Sequence, residues 1–78
     1  MFLEIITPDK KLFSGEVKSI LLPGTDGKFG ILDKHAPIIS SLKTGTLKIV
    51  DAEEQKQTFE IKGGVVEMLD NKVIILAE

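Results

Sequence analysis

The segment 23–38, PGTDGKFGILDKHAPI, gathers the residue types of this chain that most often do chemistry. It holds three glycines at intervals of three, two lysines, two aspartates and the only histidine. Such a segment suits a phosphate-binding loop, a modification site, a catalytic site or the edge of a protein-binding surface. Each role needs surrounding elements that hold these residues in a defined geometry.

The glycines do not form a phosphate-binding loop. A P-loop requires G-x-x-x-x-G-K-[ST] between a strand and a helix. Here Gly24, Gly27 and Lys28 give only G-x-x-G-K, Phe29 follows, and no helical pattern comes after it. Without a helix N-terminus to bind a phosphate, these glycines are better explained by tight turns.

The histidine gives little support for catalysis or metal binding. Asp33 lies two residues before His35, and Ser40 and Ser41 follow it, but a triad needs an oriented geometry that closeness in sequence does not supply. One histidine, no cysteine and scattered carboxylates give no spacing of metal ligands. We therefore expect no catalytic residue, no metal site and no cofactor. A small enzyme or ligand-binding barrel remains an alternative, and it would need a pocket with convergent polar groups.

Lys34 invites comparison with the modified lysine of lipoyl- and biotinyl-type carrier domains. Those domains are small β-sandwiches that present a lysine at the tip of an exposed hairpin, usually in an Asp-Lys-Ala sequence. Here Lys34 is followed by His-Ala-Pro instead of an apolar strand residue. A swinging-arm carrier domain modified on Lys34 is kept as the alternative function.

The elements that must position this segment read as strands. Short apolar runs with a period of two recur along the chain, separated by Gly, Pro, Asn or Asp, and no stretch holds a helical stripe. This pattern predicts an all-β sandwich or barrel of about eight or more strands. We interpret the polar segment 52–57 as a hairpin loop and Asp70-Asn71 as a tight hairpin turn.

The alternation also predicts which side chains face inward. Phe59 and Ile61 should share the inner face of one strand, and Leu47 and Ile49 that of another. In the segment 16–22 the pattern places Val17, Ser19 and Leu21 on one face. The runs 65–69 and 73–76 are apolar enough that we expect both of their faces to be covered.

Composition limits the class of protein further. The chain has 78 residues, enough for one domain, 1–78, and its net charge is −2 from 10 basic and 12 acidic residues. The mixed charges and the lack of Tyr and Trp argue against a nucleic-acid binder. No apolar run approaches the length of a membrane span, and the N-terminus lacks the basic region of a secretory signal.

An ordered set of motifs resembles one family along essentially the whole chain. The motifs are LFSGEV, GTDGKFGIL, HAPII, LKTGTLKI, KGGVVE and NKVIILAE. In this order they resemble the N-terminal domain of the epsilon subunit of F-type ATP synthase, which is called delta in mitochondria. The resemblance implies a roughly ten-stranded β-sandwich of two antiparallel five-stranded sheets. It also implies a non-catalytic subunit of the rotor's central stalk that helps couple proton or sodium flow to ATP synthesis.

The resemblance implies two partners, the gamma subunit and the ring of c subunits, and two sets of contact residues. The expected gamma-facing residues are Thr7, His35, Ala36, Pro37, Ile38 and Ser40. The loop expected to face the c-ring comprises Thr25, Asp26, Gly27, Lys28, Phe29 and Gly30. Some relatives carry an acidic residue in place of Lys28, so the ring loop that meets it should offer a complementary charge. We expect a peripheral membrane protein on the cytoplasmic face of the bacterial plasma membrane.

The resemblance ends with the β-sandwich. Common family members continue beyond the LAE motif into a helical hairpin that inhibits ATP hydrolysis and in some bacteria binds ATP. This sequence stops at Glu78. We therefore expect a short form without the inhibitory helices and without ATP binding.

Overall fold

The computed structural model describes all residues from Met1 to Glu78. Every regular element is a strand, and no helix is present that is long and apolar enough to cross a membrane. The eight strands are β1 (Phe2–Ile6), β2 (Lys11–Gly24), β3 (Gly27–Leu32), β4 (Ile38–Leu42), β5 (Gly45–Asp51), β6 (Lys56–Ile61), β7 (Gly64–Leu69) and β8 (Lys72–Ala77).

The 14-residue strand β2 joins the two layers of the fold. Its first part pairs with β1, and its second part lies between β3 and β5. One layer therefore has the order β4-β7-β8-β1-β2, and the other has the order β3-β2-β5-β6. Hydrogen bonding runs continuously through β2 and joins the two layers into one eight-stranded sheet. The all-β class is confirmed, with eight strands in place of the expected ten. The expectation of two separate antiparallel sheets needs one further correction, because β1 and β8 pair in parallel.

A β-bulge in β2 corrects the predicted facing of the segment 16–22. The register with β5 shifts between Val17 and Ser19, which inserts one extra residue. Val17 is buried on the near side of the bulge, and Ile20 and Leu22 are buried beyond it. Ser19 and Leu21 consequently point outward, so the prediction that they share a face with Val17 was wrong. Strict alternation cannot anticipate a bulge, since the bulge changes the parity of the strand.

The core consists of 16 buried apolar side chains contributed by both layers. Leu3, Ile5, Val66 and Ile75 are examples from one layer, and Leu47 is an example from the other. The core contains no buried polar or charged side chain. The predicted inward facing of Leu47, Ile49 and Ile61 is confirmed, and Phe59 packs against the core while partly exposed.

Two of the connections match the turns predicted from the sequence. Asp70 and Asn71 join β7 to β8 with φ angles of 53° and 61°, the left-handed pair that a two-residue hairpin requires. The loop between β5 and β6 covers residues 52–55, which is shorter than the predicted 52–57 because Lys56 and Gln57 already pair with β5. It is closed by Asp51, whose Oδ1 accepts hydrogen bonds from the N–H groups of Glu53 and Gln55. The Asp51 N–H in turn donates a hydrogen bond to the Gln55 carbonyl oxygen at 2.9 Å.

The outer faces of β7 and β8 differ from the prediction. Both strands were expected to be covered on two sides, but Val65, Leu69 and Leu76 are exposed by 42%, 58% and 54% of their surface. Their inner neighbours Val66, Met68 and others are fully buried. One face of this layer is therefore apolar and uncovered within the chain.

Candidate protein-interaction surfaces

The loop 33–37 connects β3 to β4 and is anchored by side-chain hydrogen bonds. Asn71 donates from Nδ2 to Asp33 Oδ1 at 2.9 Å and accepts from the Lys34 N–H through Oδ1 at 2.7 Å. The Met1 ammonium group donates to the same Asp33 oxygen at 2.7 Å. The hydrogen bond from this ammonium, followed by that from Asn71, lowers the pKa of Asp33 below its usual value of 3.8. These contacts fix the backbone from which the His-Ala-Pro segment projects.

The expected gamma-facing residues of the His-Ala-Pro segment are exposed at this end of the fold. His35, Ala36 and Pro37 all face solvent, and His35 Nδ1 lies 2.7 Å from the Ala36 carbonyl oxygen. Pro37 also borders a shallow groove formed with Ile39, Glu67 and other residues of β4 and β7. The segment is thus free to meet a partner and is continuous with the outer face of β7.

The structure separates the expected residues of β4 by the face they occupy. Ile38 and Ser40 are half-buried and alternate with the buried Leu42, so they point toward the core side of the strand. Ile39 lies between them, points outward and is 73% exposed. Ile39 was not among the contact residues predicted from the sequence, although the alternation of β4 places it on the opposite face from Ile38 and Ser40.

Thr7 lies at the far end of β1, away from the loop 33–37. Its Oγ1 accepts a hydrogen bond from the Lys10 N–H at 3.1 Å, and its N–H donates to the Lys10 carbonyl oxygen at 2.8 Å. Thr7 thereby closes the turn between β1 and β2. It also borders a groove with Ile6, Val65 and Leu76, which places it at the edge of the same outer face.

The residues expected to face the c-ring form the hairpin between β2 and β3. Gly24 pairs with Gly27, so Thr25 and Asp26 make the two-residue tip. Thr25, Asp26, Gly27, Lys28 and Gly30 are exposed. Phe29 is different, because its ring is half-buried against the core and lies over Gly24, where an added Cβ would come within 2.7 Å of it.

The hairpin tip is braced against the end of β4. The Thr25 N–H donates to the Ser41 carbonyl oxygen at 3.1 Å, and the two hydroxyl oxygens of Thr25 and Ser41 are also 3.1 Å apart. β4 therefore begins beside the loop 33–37 and ends beside the hairpin tip. Its four residue steps separate these regions by about 13 Å. The His-Ala-Pro segment and the hairpin tip therefore lie at different ends of one short strand.

The apolar outer face joins the expected gamma residues at its two ends. Cross-strand pairing aligns Ile39 with Glu67, Glu67 with Ile74, and Val65 with Leu76. Directly paired residues share a face of a sheet. We define the apolar outer face by the seven side chains Phe2, Ile6, Ile39, Val65, Leu69, Ile74 and Leu76. Sequence reasoning missed it because the apolar residues of β7 and β8 were assigned to burial on both sides. A chain of 78 residues is too short to cover both faces of this layer. The chain length would therefore have indicated that one apolar face stays exposed.

The opposite face of the fold has a different character. Cross-strand pairs place Leu32, Ser19 and Val50 in one row and Gly30, Leu21 and Lys48 in the next. Leu32 is 64% exposed and lines a shallow groove with Leu21, which is 37% exposed, and with Lys48 and Lys56. This face provides matched positions for control substitutions.

The position of Lys34 in the fold differs from that of a swinging-arm lysine. No group of three His, Cys, Asp or Glu residues is close enough to hold a metal ion. Lys34 lies in a connection between two strands that do not pair with each other, since β3 pairs with β2 and β4 pairs with β7. It is therefore not at a hairpin tip, and the comparison with a carrier domain fails on geometry.

Comparison with known proteins agrees with the fold and with the ordered motifs. Residues 1–78 match the family model described as ATP synthase, Delta/Epsilon chain, beta-sandwich domain. The ATP synthase epsilon chain of Chlorobium limicola is 43% identical over 76 residues, which are 97% of this chain and 86% of that protein. The ATP synthase epsilon chain of Pelotomaculum thermopropionicum is 44% identical over 77 residues, but this chain spans only 55% of its length.

Solved structures give the same result. A chain in the cryo-EM structure of the Euglena gracilis mitochondrial ATP synthase, OSCP/F1/c-ring in rotational state 1, matches with a TM-score of 0.89 and 25% identity over 96% of this chain and 48% of that one. A chain in the Tetrahymena thermophila mitochondrial ATP synthase central stalk and c-ring matches with a TM-score of 0.80 and 25% identity over 99% of this chain and 62% of that one. The match to the family model over residues 1–78, with relatives above 40% identity, shows that this chain belongs to the ATP synthase delta/epsilon family and forms its β-sandwich domain.

Proposed function

We propose that this chain is a non-catalytic subunit of the central stalk of an F-type ATP synthase. It binds the gamma subunit and the c-ring and helps couple ion flow through the membrane to ATP synthesis. Membership of the delta/epsilon family supports this role, as do the central-stalk and c-ring assemblies that contain its structural relatives. The chain itself performs no chemical step, because its function is to transmit torque between partners.

The observation that carries this proposal is the apolar outer face. Its most exposed members are Ile39, Leu69 and Leu76, at 73%, 58% and 54%. Contiguous exposed apolar surface on a small soluble domain is typical of a binding site for another protein. The face is continuous with Pro37 at one end and Thr7 at the other, which are two of the residues expected to face gamma. We assign gamma to this face.

The β2–β3 hairpin is the proposed contact with the c-ring. Its tip is polar and exposed, and it carries both signs of charge in Asp26 and Lys28. Thr25 ties the tip to Ser41, so the hairpin is held by more than its own two strands. A braced polar tip suits a contact whose charges set orientation and register more than affinity.

The proposed location follows from these partners. A subunit held between gamma and the c-ring is a peripheral membrane protein, and the bacterial relatives support the cytoplasmic face of the plasma membrane. Membrane association would then arise through the complex.

A pair of matched substitutions tests the gamma face. Ile39→Asp and Leu32→Asp each place a charge on an exposed apolar position, but on opposite faces of the fold. We expect Ile39→Asp to weaken binding to an α3β3γ complex from the same organism by at least about 100-fold, because a desolvated charge would face apolar surface. Leu32→Asp should change the affinity less than about threefold, because Leu32 is exposed and lies outside the proposed contact. Equal effects of the two variants, or no binding by the unmodified chain, would contradict the proposal.

A further inference from the structure

Glu67 occupies the centre of the apolar outer face. Val65 and Leu69 lie two residues before and after it on the same side of β7, while Ile39 and Ile74 lie directly opposite it on β4 and β8. Glu67 is exposed, and four apolar side chains surround it. A carboxylate in this position interrupts a surface that is otherwise suited to bind apolar groups.

Cross-strand pairing aligns Glu67 with a second carboxylate, Glu4, across β7, β8 and β1. Glu4 has a cation partner, and Glu67 has none. Glu4 lies opposite Ile74 on β1, and its Oε2 accepts a hydrogen bond from Lys11 Nζ at 2.8 Å. This bond lowers the pKa of Glu4 below its usual value of 4.5. Lys72, on β8 diagonally across from Glu67, lines a shallow groove with it, but its Nζ lies 5.9 Å from the centre of the Phe2 ring. None of the ion pairs within 4 Å, and none of the side-chain hydrogen bonds, involves Glu67.

A partner that covers this face must compensate the negative charge of Glu67. The four apolar neighbours will exclude water from the carboxylate when they are buried. An ionised group that loses its water without gaining a counter-charge opposes binding strongly. A basic side chain restores the lost interactions, and arginine does so best because its planar guanidinium can donate two parallel hydrogen bonds and is weakly hydrated.

We propose that Glu67 is a specificity-determining residue that pairs with a basic side chain, preferably arginine, at the centre of the docking surface of its partner. The occupant of this face is therefore an apolar protein surface with one cationic group near its middle. A second copy of this chain fits poorly, since its own apolar outer face would bring Glu67 or Glu4 toward Glu67. This inference rests on the proposed function for the identity of the partner, gamma, and adds the chemistry that gamma must present.

The test measures binding of the full chain to an α3β3γ complex from the same organism. We expect Glu67→Gln, which keeps the shape and removes the charge, to weaken binding at least about tenfold, mainly through faster dissociation. Glu67→Arg should weaken it further, and one charge reversal among the basic residues of the gamma surface should restore binding to the Glu67→Arg chain. Glu4→Gln is the matched control on the same face, and it should change the affinity less than about threefold, because Lys11 already compensates Glu4.

The outcomes separate this inference from the proposed function. Because Glu67 is exposed and forms no side-chain hydrogen bond or ion pair within the chain, its variants should keep the thermal midpoint of the unmodified chain. Unchanged or tighter binding of Glu67→Gln, with binding still abolished by Ile39→Asp, would overturn the pairing and leave gamma on this face. Unchanged binding of Ile39→Asp would instead overturn the assignment of gamma to the face, and the inference would fail with it.

Discussion

Asn71 and Asp33 are separated by 38 residues in sequence and are joined by a hydrogen bond of 2.9 Å from Asn71 Nδ2 to Asp33 Oδ1. The same amide accepts a hydrogen bond from the Lys34 N–H at 2.7 Å. Asn71 also has a φ of 61°, so one residue both forms the β7–β8 turn and holds the loop that carries His35. The turn and the proposed gamma contact are therefore mechanically linked.

Replacing Asn71 by glycine separates the two roles of this residue. Glycine adopts the left-handed conformation readily, so Asn71→Gly should preserve the hairpin turn. It removes both side-chain hydrogen bonds, and we expect the Lys34 amide to exchange with solvent at least about fivefold faster, in line with the loss of about 1 kcal/mol. Amide hydrogen exchange measured by NMR tests this expectation. The amides of Val73 and Ile75 in β8 serve as internal controls, and faster exchange there as well would indicate a damaged hairpin instead of a released loop.

Acid should destabilise the fold through carboxylates that accept hydrogen bonds. The backbone N–H of Gln55 lowers the pKa of Asp51 below its usual value of 3.8, with smaller contributions from Gln57 and Glu53. When the pKa of a carboxyl is lower in the folded state than in the unfolded state, the unfolded chain binds the proton first as the pH falls. Below the unfolded pKa, protonation therefore favours unfolding. The stabilising contribution of the carboxylate is thus complete above that value and is lost as the pH falls through the folded pKa. Glu4 and Asp33 should act in the same direction.

The substitution Asp51→Asn isolates this effect. At neutral pH we expect a lower free energy of unfolding than in the unmodified chain, because a neutral amide oxygen accepts hydrogen bonds less strongly than a carboxylate. The difference between the two proteins should shrink as the pH falls through the folded pKa of Asp51, because the carboxylate then takes up a proton in the folded state as well. Thermal unfolding followed by circular dichroism between about pH 7 and pH 2 checks this. Asp9→Asn, at an exposed carboxyl without a side-chain hydrogen bond, is the control. A constant difference between Asp51→Asn and the unmodified chain at every pH would contradict the explanation.

Much of the fold and part of the site were accessible from the sequence, for identifiable reasons. The turn at Asp70-Asn71 and the inward facing of Leu47 and Ile49 follow from local pattern and turn chemistry, and both are confirmed. The facing of Val17 was correct but that of Ser19 was not, because a bulge depends on the pairing of β2 with β5 and has no signature in the strand itself. The continuity of β2 through both layers is likewise a property of pairing, so the count of strands was too high.

The contact surfaces were harder to predict because they depend on which faces the rest of the chain leaves uncovered. The hairpin tip at Thr25 and Asp26 was located from glycine spacing and family resemblance, and the structure places it at an exposed end. Ile39 and Leu69 were overlooked because apolar residues on both faces of a strand indicate burial equally well within a domain and beneath a partner. The three-dimensional structure distinguishes these cases by showing that no other part of the chain covers that face.

Gly64 is the glycine whose replacement should be most damaging. Its φ is 153°, and an added Cβ would lie 2.2 Å from the Leu76 carbonyl oxygen and 3.1 Å from the Ala77 Cα. Both contacts are with backbone atoms of the paired strand β8, which cannot move without disturbing the parallel pair with β1. We expect Gly64→Ala to lower the free energy of unfolding by about 2–4 kcal/mol. Gly30→Ala is the matched control, because its Cβ would meet only one atom at 3.7 Å. Urea unfolding of both variants measures the difference, and similar midpoints would show that the strand accommodates the methyl group.

Charge reversal at the hairpin tip tests the proposed c-ring contact independently of the gamma face. Lys28 is exposed beside Asp26, about 13 Å along β4 from the loop 33–37, so Lys28→Glu should not alter binding to α3β3γ. We expect it to lower retention of the c-ring in reconstituted complexes at least about fivefold, because a like charge would then face the loop that complements lysine. Lys48→Glu makes the same change on the outer surface of β5 and should leave retention unchanged. The loss for Lys28→Glu should shrink as salt is raised, since exposed charges are screened within about 10 Å at 0.1 M salt. A loss of gamma together with the ring would mean that the tip supports the fold or the gamma contact, and equal retention in both variants would remove Lys28 from the ring contact.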